Sequence, residues 1–230
     1  NGAAKMLSMS GGQYNVPIVF RGPTGNAGQL SSQHSQNFEN WFANTPGLKV
    51  VVPSNPYDAK GLLKAAIRDN DPTIFMESEL MYGDKGLVPE EEYILEIGKA
   101  NIVREGKDVT LVSFGKFMKI ANESAAEMQK EGVDVEVIDL RSVRPIDYET
   151  IITSVKKTNR LVLLEETWPV ASISSDISHI VQRNAFDHLD APIYRVVSKD
   201  LPLPYAPTLI EEILPNVKKT IVAINAVMYR

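Results

Sequence analysis

The chain has 230 residues, a length that suits one large or two modest domains. Hydrophobic residues make up 43% and charged residues 23%, the composition of a core-forming globular protein. A formal net charge of −5 without any basic block argues against nucleic acid and anionic membrane surfaces as partners, and zero cysteines exclude disulfides, thiolate metal sites and a cysteine nucleophile. No apolar run approaches the ~18 residues of a spanning helix. The first residues lack the charged-then-apolar layout of a signal peptide, so secretion is not expected.

In chain order, AAKMLSMS reads as the last two turns of a helix closed by Gly11-Gly12, which predicts further residues upstream. VPIVF (16–20) is a short buried-strand run, followed by the Gly- and Ser-rich loop RGPTGNAGQLSS. Phe38, Trp41 and Phe42 fall at i, i+3 and i+4 on one helical face and are read as core. LKVVV (48–52) is a second strand. Asn55 as N-cap with Pro56 at the first helical position opens a helix through Ile67, and TIFME (73–77) is a third strand. Three non-alternating strands separated by helices predict a parallel sheet covered on both faces.

Residues 78–100 carry Gly, Pro and the acidic triplet Glu90–Glu92, and read as a linker with a solvated acidic face. Alternation then resumes: strands over 109–114, 135–140, 160–166 and 193–197, and helices over 117–131, 147–157, 173–188 and 215–227. The second half has its own complement of strands and helices. The first half, with three strands, looks truncated.

Parallel α/β sheets bind ligands beyond the C-terminal ends of their strands, which points to the loop after VPIVF. Its GPTGNAG is neither a dinucleotide fingerprint nor a Walker sequence, and a flexible connector is an equal reading. At its far end SSQHSQNFENWF (31–42) holds His34, one of three histidines. The simplest reading is a polar loop residue ahead of a surface helix, although imidazole also suits proton transfer near neutral pH. Glu165 and Glu166 end a strand and should point to opposite faces, one toward solvent, so that they form no catalytic dyad. Asp69 and Asp71 close a helix in IRDNDPT, where acids are unfavourable unless a cation compensates. Free carbonyls plus carboxylates there suit a hard cation, while Asp-Asn-Asp-Pro is turn chemistry in its own right.

Longer stretches add a resemblance. MSGGQYNVPIVFRGPTG, QHSQNFENWFANTPGLKVVVPSNPYDAKGLLKAAIRDNDP, ESELMYG, IDLRSVRPID, VKKTNRLVLLEE and LDAPIYRV with DLPLPYA together resemble one family. It is the beta subunit of the thiamine-diphosphate-dependent decarboxylating component of 2-oxo acid dehydrogenase complexes. The resemblance runs collinearly from Asn1 to the C-terminus, while an N-terminal stretch of family members has no counterpart here. Within the family the pyruvate dehydrogenase group is favoured over the branched-chain 2-oxo acid group. The latter tends to carry Tyr before the histidine, where this chain has Gln33.

The resemblance implies an α/β fold. Residues 1–80 would be the remaining part of a parallel α/β domain of pyrimidine-binding type, 81–100 a linker, and 101–230 a transketolase C-terminal-type α/β domain. It implies thiamine diphosphate as cofactor, held between this chain and an alpha subunit that carries the diphosphate and its magnesium, in a heterotetramer of two alpha and two beta chains. The carboxylate that activates the aminopyrimidine would lie in the missing stretch, leaving this chain alone inactive. His34 would assist acyl transfer to the lipoyl arm, and a structural potassium ion would map onto Ile18, Ala66, Ile67, Asp69 and Asp71. Asp190 would face the subunit-binding domain of the dihydrolipoyl acyltransferase, and a non-catalytic docking module is the alternative role for this chain alone. The compartment implied is a bacterial cytoplasm or a mitochondrial matrix. One departure stands out: where the family approaches its helix through glycines, this chain has VASISSD (170–176), which should preserve the helix through serine capping but puts any close backbone approach in doubt.

Overall fold

A computed structural model describes all residues, 1–230. The first half runs α1 (Gly2–Met9), β1 (Val19–Pro23), a 3-10 turn at Ser32–His34, α2 (Glu39–Ala43), β2 (Lys49–Val51), α3 (Pro56–Arg68) and β3 (Thr73–Glu77). The second half runs β4 (Asn101–Arg104), β5 (Val109–Ser113), α4 (Phe117–Lys130), β6 (Val135–Asp139) and β7 (Ser142–Arg144). It continues with α5 (Tyr148–Thr158), β8 (Leu161–Leu164), α6 (Ile173–Ala185), β9 (Tyr194–Val196), α7 (Pro207–Ile213) and α8 (Val217–Val227).

Local chemistry explains most of these boundaries. The Asn55 side chain accepts the Asp58 N–H at 2.8 Å and Pro56 occupies the first helical position, so α3 begins where its capping residues stand. Asp147 caps α5 in the same way, and the helix ends on Asn159 in the left-handed conformation. At α6, Ser172 caps the Ser175 N–H, while Ala171 takes the left-handed φ of 52° that a glycine would adopt without strain. The helix survives the departure from a glycine-rich approach. Its final expected turn tightens into a 3-10 turn at Phe186–His188.

Two sheets result, ordered β1-β3-β2-β7 and β4-β6-β5-β8-β9. In the first, β1, β3 and β2 are parallel as the buried-strand runs predict. The fourth strand, β7, comes from the second half and pairs antiparallel to β2. The second sheet is parallel from β6 through β9, with β4 antiparallel at its edge. Two expectations are corrected here. The first strand begins at Val19 rather than Val16, and as the outer strand of its sheet it leaves Phe20 46% exposed instead of covered on both faces. Trp41, expected in the core, is 65% exposed and meets Phe38 edge-on at 5.0 Å, because α2 is too short to turn all three aromatics inward.

One apolar layer joins the sheets. Val50 and Ile74 from the first pack in a single cluster with Val112, Ile138 and Leu163 from the second and with Ile177 and Val181 of α6. Burying such a side chain contributes about 1.5–3 kcal/mol, so this shared layer outweighs any exposed ion pair between the halves. The segment between the sheets is also packed rather than loose. Tyr93 stacks on Tyr57 at 4.6 Å, and the Leu95 N–H donates to the Gly61 carbonyl at 3.2 Å.

Candidate active site at the junction of the two sheets

The C-terminal ends of strands from both sheets converge on one small cavity of about 20 Å³, lined by Thr24 after β1, Val52 after β2, Ser78 after β3, Lys116 after β5 and Glu166 after β8, together with Glu39 of α2. That is the end of a parallel sheet where ligands and reactive groups collect. Glu39 is 3% exposed, and burial pushes its carboxyl up to about 7. Its Oε1 accepts the Thr24 hydroxyl at 3.2 Å, and its Oε2 has no hydrogen-bonding partner in the chain.

Glu165 and Glu166 correct an expectation. Glu165 is buried and Glu166 keeps only 10% of its side chain exposed, because the backbone leaves the strand alternation after Leu164. Glu165 accepts the Ser174 N–H at 2.7 Å at the start of α6, and burial raises its pKa. Burial also raises that of Glu166, opposed by the Lys116 ammonium, whose Nζ lies 2.7 Å away. Of these three carboxyl groups only Glu166 pairs with the cation Lys116, which sits at the N-terminus of α4 where the helix dipole alone would disfavour it.

His34 closes the 3-10 turn at Ser32–His34 on the exposed part of the loop that starts from this junction. It is not among the cavity residues. Beside it, Ser32, Gln33 and Gln36 line a cleft of about 360 Å³ with Trp168, Asp200, Leu201 and Pro202 from the second half. A larger concavity, an open groove of about 1470 Å³ along α1, α2 and the start of α6, includes neither His34 nor the carboxyl cluster.

The remaining predicted residues stand apart from this junction. Lys49 Nζ lies 2.5 Å from Asp69 and 3.2 Å from Asp71, so a side-chain cation already compensates the two acids at the end of α3. Ile18 is brought next to them, its carbonyl accepting the Thr73 N–H at 2.9 Å, and Ala66 accepts from the Asp69 N–H at 3.4 Å. Ile67 is 63% exposed. Asp190 sits after the Phe186–His188 turn with its carboxylate 3.3 Å from Arg160 and its side chain 55% exposed.

Glu39 and Lys116 were not singled out from sequence. Glu39 carries no signal, since it falls off the face defined by Phe38, Trp41 and Phe42. Lys116 was accessible, because it follows the C-terminal end of a predicted parallel strand, the place that drew attention to the loop after β1.

The comparisons fit this architecture. The transketolase pyrimidine binding domain matches residues 1–85 and the transketolase C-terminal domain matches residues 98–220. A solved structure titled split gene transketolase, inactive beta4 tetramer, matches with a TM-score of 0.78 at 19% identity, covering 99% of this chain and 73% of that one, which shows the fold. Among curated relatives, the pyruvate dehydrogenase E1 component subunit beta of Rhizobium meliloti is 53% identical over all of this chain and 50% of its own length. The Rickettsia felis protein of the same name is 49% identical over all of this chain and 70% of its own length. The mitochondrial beta-1 subunit of Arabidopsis thaliana is 48% identical, with 64% of its length covered. The chain therefore spans between half and about 70% of these relatives, and on that identity and coverage it belongs to the pyruvate dehydrogenase E1 component beta subunit family, within the transketolase fold.

Proposed function

We propose that this chain serves as the beta subunit of a thiamine-diphosphate-dependent pyruvate dehydrogenase component, working with an alpha subunit and a second beta subunit. The observation that carries the reading is His34, exposed next in sequence to the cleft-lining Ser32 and Gln33, on a loop whose base is held at the junction of the two sheets. The cofactor supplies the electron sink for decarboxylation when bound. This chain's part would be to present a proton donor to the thiolate released as the S–S bond of the oxidised lipoyl group breaks and its other sulfur takes up the acyl group, a role imidazole can fill.

A potassium ion at the end of α3 fits a main-chain site only. The carboxylates of Asp69 and Asp71 are engaged by Lys49, leaving the carbonyls of Ile18, Ala66, Ile67, Asp69 and Asp71 as donors. Asp190 suits docking to the acyltransferase's subunit-binding domain by its exposure beside Phe186, itself 65% exposed. The relatives' bacterial and mitochondrial sources support a bacterial cytoplasm or mitochondrial matrix, and no helix is long and apolar enough to cross a membrane.

The test is His34→Ala in the chain assembled with its alpha partner. Acyl transfer to lipoyl should fall about 10²-fold or more, the range for a positioned general acid, while decarboxylation measured with an artificial electron acceptor is largely kept. Equal losses in both assays would refute the assigned role.

A further inference from the structure

The peptide backbone of Asn26 is held from both sides by side chains of the other half of the molecule. Its N–H donates to Glu166 Oε1 at 2.6 Å, and its carbonyl accepts from Lys116 Nζ at 2.6 Å. The two side chains also pair with each other at 2.7 Å, 12% and 10% exposed. Gly25 permits this approach: its φ is +77°, and a Cβ there would stand 2.4 Å from Glu166 Oε2. The loop is tied beyond this point as well. The Gly25 N–H donates to the Gln36 carbonyl at 2.8 Å and the Gly28 N–H to Asn26 Oδ1 at 3.0 Å, closing the base of the segment whose outer part bears His34.

We propose that the Lys116–Glu166 pair is a positioning device for the His34 loop, through which the second sheet's domain determines where the imidazole stands. The inference rests on the reading of His34 given above. A buried ion pair is weak evidence for stability as such, since apolar replacements are often neutral. What distinguishes this pair is that both members bind the same residue of a loop from another domain, and both leave from strand ends that converge on the junction. Ser31, in the left-handed region at φ 64°, shows that the loop holds a conformation its own residues disfavour, which requires outside support.

The test is the double substitution Lys116→Met with Glu166→Gln, which removes both charges and leaves no lone buried ion, in the chain assembled with its alpha partner. Hydrogen exchange in peptides spanning residues 23–38 should quicken at least about tenfold while β5 and β8 keep their protection. Acyl transfer to lipoyl should fall at least about tenfold, yet in a His34→Ala background the same pair should add less than about twofold, because coupled residues are not additive. Unchanged loop exchange, or full additivity with His34→Ala, would overturn the proposal. If His34→Ala alone spares acyl transfer, the reading of His34 fails and the exchange measurement by itself decides whether the pair holds the loop. Should the double variant not fold, Glu166→Gln keeps the side chain's shape and weakens its charge-assisted bond to Asn26. It must show the same loop-specific exchange at smaller amplitude, and an unaltered pattern counts against the proposal.

Discussion

Asp139 ends β6 fully buried, accepting the Ser54 hydroxyl on Oδ2 and the Arg141 N–H on Oδ1 at 2.9 Å. Burial pushes its carboxyl up from 3.8 to about 7, with Asp58 adding repulsion and the Arg141 guanidinium opposing both. A carboxyl whose folded pKa is raised stabilises fully below its unfolded pKa, and that contribution is lost as pH rises to about 7. With an unfolded value of ~3.9, linkage makes folding ~2.5 kcal/mol less favourable at about pH 8 than at about pH 5. Asp139→Asn keeps an acceptor for the Arg141 N–H and cannot ionise. Relative to the parent it should therefore gain about 2–3 kcal/mol between those two pH values. Glu39, also raised to about 7 by burial, contributes its slope to both proteins and cancels in the difference. Urea unfolding of both proteins at the two pH values measures the effect. If the two stabilities run parallel across this range, Asp139 is already ionised in the fold and the reasoning is wrong.

Other outcomes follow from the same geometry. Arg141 binds Asp58 through two hydrogen bonds of 2.7 and 3.1 Å, and Arg141→Met should cost about 3–5 kcal/mol by leaving a buried carboxylate alone, with most of it recovered by adding Asp58→Asn. A melting point lowered by less than about 2 °C would show that Asn55 alone satisfies Asp58. Potassium should raise the melting temperature over tetramethylammonium at equal ionic strength, by ~2.7 kcal/mol of linkage at one hundred times its dissociation constant. Equal melting in the two salts would leave Lys49 as the only cation at the end of α3. Asp190→Ala should weaken binding to the isolated subunit-binding domain chiefly through a slower, salt-sensitive on-rate, as befits a half-exposed charge. Parent-like binding at low salt would place the docking surface elsewhere.

Apart from α7, which no sequence reading anticipated, the helices and central strands were legible because their signals are local. Asn55-Pro56 at α3, Asp147 at α5 and continuous apolar runs such as VTLVS and RLVLL carry their own boundaries. The antiparallel edge strands β4 and β7 were not. They have only four and three residues, each ends on an arginine, and they exist because a partner strand lies beside them, which no local pattern encodes. The site divides the same way. The loop that ends at His34 follows from the strand-end rule, while a role for His34 itself is implied only by the resemblance. The burial of both Glu165 and Glu166 depends on α6 and Lys116 meeting them from elsewhere in the chain. Alternation along a strand misleads there because the strand has already ended.

The antiparallel strand β7 borrowed by the first sheet has a consequence for dissecting the molecule. Ser142–Arg144 lies far beyond the connector at residues 78–100, yet it closes the edge of β2, while the Val52 N–H donates to the Arg141 carbonyl and Arg144 donates to the Ala43 carbonyl. A cut at the connector would strip Lys49–Val51 of its neighbour and bare an apolar strand edge, which invites pairing with other copies and aggregation. The released second half would carry a stranded three-residue ribbon with no partner. Boundaries drawn along the sequence and boundaries of autonomous folding do not coincide here, so the two halves should melt in one transition and neither should be recoverable as a well-behaved separate product.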